Sequence, residues 1–231
     1  MAMKALLASG ILASLLYVAA DALGAVAWPG YSHASQTVSE LMGIGAPSRP
    51  LVLSLMTVRS SLLLAFALGV AWSADRRWAV RLTAILLAAD AIVGQTTASF
   101  FPVPQRGATG SSTMHVIGTA LESLAIILSM GFAAAAFGKR FRLYSIGTIV
   151  ILLAFGAAAG SGISRIDAQL PTPWLGIIER INIYAYLLWM AVLAIVILRR
   201  SGRAAAMTLA QGVGAAQAVP VRTMRNSPSL D

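Results

Sequence analysis

Asp21, Arg59, Asp90, Glu122 and the adjacent pair Glu179 and Arg180 stand inside or at the edges of long apolar runs. Charge in hydrocarbon is costly, so such residues face a bundle interior or a wet cavity and pair there. The arginines Arg59 and Arg180, with Arg49 nearby, suit an anion. The carboxyls of Asp21, Asp90, Glu122 and Glu179 suit a cation or a proton relay. His115 lies seven residues before Glu122, on the same face of any helix that carries both. That spacing suits a general base with a carboxylate orienter, and Glu40 is a second candidate orienter. The catalytic candidates are therefore His115, Glu122 and Glu40. Gln95, Thr96 and Thr97 add hydrogen-bonding groups, and the other histidine is His33.

Each of these residues also has a plainer use. Arg59 and Asp90 can form a structural ion pair. Asp21 and Arg180 can snorkel to headgroups, and Glu179 can complement the amino end of its own helix. His115 can be a helix-start residue. A His/carboxylate metal site would need spacings such as HxxxH or HExxH, which are absent, so no metal and no cofactor is assigned. Ser35 and Ser39 lack the GxSxG setting of a serine nucleophile. With no cysteine, disulfides and thiolate chemistry are excluded.

The elements that must position these groups are apolar. Of 231 residues, 58% are hydrophobic and 11% charged, with mean hydropathy +0.80. Soluble domains carry roughly 25% charged residues. Six apolar runs, 4–28, 51–73, 79–101, 114–137, 143–164 and 175–198, each approach the ~20 residues a helix needs to cross hydrocarbon. Helices are expected because lipid leaves an open backbone unsatisfied. The first run is longer than a signal-peptide core, and Asp21 interrupts it, so it reads as a retained helix. The fold class is all-α: a polytopic six-helix transmembrane bundle over 1–200, with a short helix in the first outer loop. Residues 201–231, rich in Ala, Gly, Pro and Ser, read as a disordered cytoplasmic tail with helical tendency over 203–211. Gly156, Gly160 and Ser164 form a small-residue stripe of the kind that lets helices approach closely.

The net charge of +9 does not indicate nucleic acid, because the basic residues sit in clusters between apolar runs. Lys4, Arg76, Arg77, Arg81, Lys139, Arg140, Arg142, Arg199, Arg200, Arg203, Arg222 and Arg225 share one side. Only Arg49, Arg106 and Arg165 occupy the other. The positive-inside rule then places both termini in the cytoplasm, for a multi-pass protein of the cytoplasmic (inner) membrane. Trp28, Tyr31, Trp174, Phe100 and Phe101 mark the outer interface, and Trp72 and Trp78 the inner one. On this topology every membrane-buried charge lies in the outer half. Asp21 and Arg59 are about 10 and 12 Å below the outer helix ends at 1.5 Å per residue.

Above them runs the polar stretch 28–59. Thr37-Val38-Ser39-Glu40 has capping-box spacing for a short helix over 37–42, ended by Gly43 and Gly45-Ala46-Pro47. Thr172-Pro173 and Ser48 with Pro50 read as helix starts. Tyr31, His33, Gln36 and Glu40 would roof a site built from Asp21, Arg59, Asp90, Gln95, His115, Glu122, Glu179 and Arg180.

Several of these motifs resemble a family. Pro29-Gly30-Tyr31-Ser32-His33, Ser35-Gln36-Thr37-Val38-Ser39-Glu40-Leu41 and Gly45-Ala46-Pro47-Ser48-Arg49-Pro50 are similar to the first outer loop of the prokaryotic six-helix membrane proteins called domain of unknown function nine-nine-eight. Phe101-Pro102, His115 and Glu179-Arg180-Ile181 continue the likeness over roughly 4–198. The resemblance implies the fold and the position of a site, not a reaction. Where the family pattern has an acidic residue after Phe-Pro, this chain has Val103-Pro104-Gln105-Arg106, which weighs against an acid-catalysed activity there. The expected function is an outward-facing polar cavity for a small ligand or a lipid headgroup, with membrane lipid as the partner. The alternatives are a membrane-embedded lipid hydrolase using His115 and carboxylates, and a proton-coupled small-solute transporter centred on Asp90. Oligomeric state is not legible.

Overall fold

The structure is a computed structural model and describes residues 2–74, 77–106, 111–168 and 170–217, the side chains of 163, 167 and 203–217 excepted. Among the described residues the chain forms six long helices: α1 (Ala2–Val26), α2 (Arg49–Trp72), α3 (Trp78–Phe100), α4 (Thr113–Ala136), α5 (Lys139–Asp167) and α6 (Leu175–Gln217). All six are long and apolar enough to cross a membrane, as the six apolar runs require. α5 begins four residues before its expected start, taking the Lys139–Arg142 cluster into its first turn. α6 runs on through Gln217, past the boundary at 201 drawn for the tail, and includes the 203–211 stretch. Residues 218–231 of that tail lie outside the described residues.

Consecutive helices pack side by side, and α6 returns against α1 to close a ring. Tight packing is concentrated at α1–α2. A Cβ added at Gly10 would stand 2.7 Å from the Phe66 ring, and one at Gly69 would stand 2.9 Å from the Leu6 Cβ. Glycine in each helix thus receives a bulky side chain of the other. Where lipid is as apolar as leucine, such close contact is what holds helices together. The small-residue stripe of α5 behaves differently. A Cβ at Gly160 would meet nothing within 4 Å, and one at Gly156 would meet only the Asn182 amide. The expected close packing through this stripe is met at Gly156, where that Cβ would stand 2.8 Å from Asn182 of α6, and not at Gly160; both glycines border a cavity.

Below the ring's centre lies the packed core, in which Trp189, Phe66, Leu7, Met130 and Met190 are fully enclosed. The Trp189 indole N–H donates to Ser145 Oγ at 2.9 Å, so its polar atom is satisfied. Many leucines and isoleucines around the outside remain exposed, among them Leu64, Leu68, Leu121 and Leu188. That distribution suits a lipid solvent.

At the other end the loop between α1 and α2 folds over the helix ends. It contains one turn of 3-10 helix, Ser39–Met42, shorter than the expected 37–42. Val38 and Leu41 of this loop are buried with Ala20, Val52 and Met56. The chain reverses at Gly45, whose φ of 82° is a left-handed value that a side chain disfavours. Ile44 N donates to Val103 O at 3.1 Å, joining the loop to the α3–α4 connection.

The glycines predict opposite mutational outcomes. Gly10→Val drives a side chain into Phe66 and should cost about 1–3 kcal/mol, the usual range for overpacking. Gly147→Val on α5 meets nothing within 4 Å and should leave the unfolding midpoint in detergent near wild type. Thermal unfolding of the two purified variants measures the contrast.

Candidate functional site

The buried charges form two tiers. The upper tier is built around Arg180, two residues past the first turn of α6 and 8% exposed. Its Nε donates to Asp21 Oδ2 at 2.9 Å and its Nη2 to Asp21 Oδ1 at 2.8 Å, a bidentate pair between α6 and α1. Nη2 also donates to the Tyr31 hydroxyl at 2.7 Å. Nη1 donates to the carbonyls of His33, Gln36 and Gly176 at 2.9, 3.0 and 3.1 Å. Tyr184 adds its hydroxyl to Asp21 Oδ2 at 2.5 Å. The guanidinium thus satisfies a buried carboxylate and the loop backbone together, using the planar fork that lysine lacks. Asp21 and Arg180 do not snorkel; they hold each other.

Tyr31 donates to the carbonyls of Thr37 and Gln36 at 2.8 and 3.1 Å while accepting from Arg180. Burial raises the pKa of its phenol, against the lowering effect of Arg180, so the hydroxyl keeps the proton it donates. Tyr31 is therefore a strut of the loop. The ring of His33 packs edge-on to Tyr31 at 5.4 Å and is exposed. The Gln36 side chain accepts from Ser32 N at 2.9 Å.

Glu40 completes the expected capping box. Thr37 N donates to its Oε2 at 2.7 Å, and Glu40 N donates to Thr37 Oγ1 at 3.2 Å. Both Glu40 oxygens also accept from Arg106, from Nε at 2.6 Å and from Nη2 at 3.0 Å. That hydrogen-bonded pairing raises the Arg106 pKa. Arg106 reaches on to Thr172 Oγ1 at 2.8 Å and to Ser35 O at 2.7 Å. With its lone pairs so used, Glu40 serves as a fastening. Thr172 does not cap α6 with its side chain, which donates to Ser35 O at 3.0 Å. The Ala34 carbonyl instead accepts Gly176 N at 2.9 Å. Ser48 likewise donates to Leu41 O at 2.8 Å rather than capping α2. In both places the loop supplies or takes the hydrogen bond that local spacing assigned to a cap.

The lower tier faces a cavity of about 540 Å³ inside the ring. Arg59, Gln95, His115, Glu122 and Glu179 line it; Asp21, Tyr31, His33, Gln36, Glu40, Asp90 and Arg180 do not. Five of the twelve expected binding residues thus stand in the wall, Asp90 stands behind it, and the other six belong to the loop and the tier above. Arg59 is 5% exposed. Its Nη2 stands 3.9 Å from Asp90 Oδ2, too long for a hydrogen bond, and its Nε is buried without a hydrogen-bond partner. Asp90 is fully buried behind the wall and accepts from the Tyr186 hydroxyl. Glu122 lies against Asp90, and Gly94 leaves it room: a Cβ there would meet Glu122 Oε1 at 2.5 Å.

The remaining wall groups are committed. Gln95 accepts from Ser60 Oγ at 3.3 Å and donates to Thr57 and Ser99 at 3.0 Å, bridging α2 and α3. Glu179 accepts from Val38 N and, at 3.1 Å, from Ser39 Oγ, so it supports the loop helix and not its own helix end alone. His115 shares a 2.9 Å hydrogen bond with Phe101 O. A carbonyl can only accept, so Nδ1 carries a proton, and Nε2 is the ring nitrogen left to face other groups. His115 is thus tied to the end of α3, and its bond is to neither Glu122 nor Glu40. Among the described residues no three His, Asp or Glu side chains gather to hold a metal ion.

Tyr17, Tyr184 and Tyr186 belong to these tiers without having been singled out from sequence, and Arg106 was read there only as an outer-side cation. Tyr186 carried a readable signal, lying seven residues after Glu179 on the same helical face. Arg106 carried none, since it stands in a loop and its partners are 66 residues away in either direction.

The family described as Protein of unknown function (DUF998) matches residues 11–196, which takes in both tiers, four spans whole and most of the first and last. No curated protein and no solved structure matches the chain.

The upper tier predicts coupled substitutions. Arg180→Gln leaves Asp21 buried without its partner and should destabilise by about 3–5 kcal/mol. Asp21→Asn alone should cost a comparable amount, and the double variant less than the sum of the two. Arg180→Lys should not restore the wild-type midpoint. Thermal unfolding of the four variants in detergent measures the cycle.

Proposed function

The chain belongs to the DUF998 family and is a multi-pass integral membrane protein; from its lower tier we propose that it binds a small ligand or a lipid headgroup in the cavity beneath the loop. The observation that carries this reading is the state of Arg59. A guanidinium enclosed in a membrane-spanning bundle ordinarily has its donors used. Arg180 meets that expectation with six contacts. Arg59 holds Asp90 only loosely and keeps Nε free at the wall of a cavity. A volume of about 540 Å³ lies within the usual ~300–1,000 Å³ of small-molecule sites.

The carboxylates bear on binding against catalysis. Glu40 is occupied by Thr37 and Arg106. His115 is oriented by a backbone carbonyl and not by Glu40 or Glu122, so the histidine–carboxylate pair that the hydrolase reading needs is not formed. The basic residues cluster away from the loop, so the loop faces the outside of the inner membrane and the cavity lies in the outer half.

Two experiments test this reading. Protein extracted in mild detergent should carry one bound small molecule or lipid per chain in native mass spectrometry. The Arg59→Gln/Asp90→Asn double variant, which removes both charges of the pair together, should lose it at least tenfold while remaining folded. Equal occupancy in the double variant would refute the cavity as the site. Ser111→Cys, placed in a chain with no other cysteine, should react with an impermeant maleimide from outside the cell. Reaction only after the cytoplasmic face is opened would reverse the orientation.

A further inference from the structure

The lining of the cavity is asymmetric in its exposure. Arg59, Ser60, Thr97, Ala98 and Ser112, from α2, α3 and the segment leading into α4, are buried. Among the described lining residues, those that are exposed all belong to two helices. They are Val116, Thr119, Ala120 and Leu124 of α4, and Leu153, Ala157 and Gly160 of α5. A residue that borders an internal cavity and is also open to the outside marks where the cavity reaches the surface. The mouth is therefore a seam between α4 and α5. It lies in the half of each helix nearer the loop, since Thr113 begins α4 at that end and Asp167 ends α5 there.

The seam is kept open by side-chain size. Ala157 and Gly160 place almost no atoms across it, and the space beside Gly160 is empty to 4 Å. Its rims, Val116, Leu124 and Leu153, are apolar. In a spanning bundle this opening faces lipid, not water. Inside the mouth the wall changes character. Arg59 presents an unused Nε donor. Glu122 lines the cavity beside Asp90, so a carboxyl stands in the same wall as the guanidinium. Deeper still, Ile126, Leu152 and Leu187 form the floor shared with the core.

We propose that the occupant is a membrane amphiphile that passes sideways between α4 and α5 from the loop-side leaflet, seating its head at Arg59 and Glu122. Its chains stay in the apolar seam and the bilayer. The proposal rests on the cavity being a binding site and adds the route and the class of ligand. About 540 Å³ admits a headgroup and a short length of chain, not a whole two-chain lipid. An open lateral mouth is the geometry that fits a ligand only partly taken in. The head must offer an acceptor to Arg59 and a donor to Glu122. A zwitterionic aminophosphate head offers both, with its phosphate oxygen at the guanidinium and its ammonium at the carboxyl.

The test uses the full chain equilibrated with vesicles of phosphatidylethanolamine or of phosphatidylglycerol, followed by mild detergent extraction and native mass spectrometry. Wild type should retain phosphatidylethanolamine at least tenfold over phosphatidylglycerol. Ala157→Trp, which fills the seam from an exposed position, should lower that retention at least tenfold with an unfolding midpoint near wild type. Gly160→Leu is the second seam variant, read the same way if Ala157→Trp folds poorly. Leu188→Trp, on a lipid-exposed part of α6 outside the cavity lining, should retain lipid like wild type. Full retention by folded seam variants, with loss in Arg59→Gln/Asp90→Asn, overturns the lateral route and leaves cavity binding standing. Retention in that double variant as well overturns cavity binding itself. Equal retention of the two lipids by wild type overturns the aminophosphate head.

Discussion

The Arg180 guanidinium holds the loop end of this protein together. It lies between a carboxylate on the first helix and three backbone carbonyls, two of them from the loop. A charge in that position cannot be left to water, because the helices around it are surrounded by hydrocarbon. Pairing with Asp21 answers the electrostatic demand. The remaining N–H groups then dictate where loop carbonyls must lie. The loop has almost no regular structure of its own, one turn of 3-10 helix, yet it is specified closely by donors that need acceptors. Tyr31 extends the same constraint by one more link.

Arg106 and Glu40 repeat the principle nearer the surface. Arg106 is about one-third exposed, so its attraction to Glu40 is partly screened. Its contribution is geometric: one guanidinium touches the loop helix, the Ser35 carbonyl and the segment before α6. Two arginines thus fasten the roof, one dry and one partly wet. The roof residues are consumed by this work, which is why Tyr31, Gln36 and Glu40 belong to architecture while the wall beneath retains unused donors.

The contrast between the two buried ion pairs separates structure from function. Asp21 and Arg180 meet at hydrogen-bond distance with every neighbour accounted for. Arg59 and Asp90 meet at 3.9 Å, with one nitrogen and one oxygen unmatched. Both pairs lie in the same half of the same bundle, so burial alone does not distinguish them. What distinguishes them is the empty volume beside the second pair and the small α5 residues that leave it open. A glycine gives intimate packing where Gly10 meets Phe66 and Gly69 meets Leu6, and a lateral mouth where Gly160 meets nothing.

Six spans were legible because hydropathy and run length follow from the thickness of a bilayer and need no tertiary information. The capping box at Thr37 and Glu40 was legible for the same reason, since its partners are three residues apart. Asp21, Arg59, Asp90, Glu122, Glu179 and Arg180 stood out as polar groups requiring partners, because charge in an apolar run is conspicuous in one dimension. The choice of partner was not legible. Asp21 and Arg180 are 159 residues apart, and only closure of α6 against α1 brings them together. Arg106 looked like an ordinary loop cation until folding delivered Glu40 and Thr172 to it. Gly156 and Gly160 have the spacing of a packing stripe, yet Asn182 of α6 fills the space at Gly156 and nothing within 4 Å fills it at Gly160, a difference set by where the neighbouring helices stand. Sequence by itself determined which groups must be buried and where along each helix; tertiary structure decided which of them were satisfied, because satisfaction depends on distances between helices that no local pattern encodes.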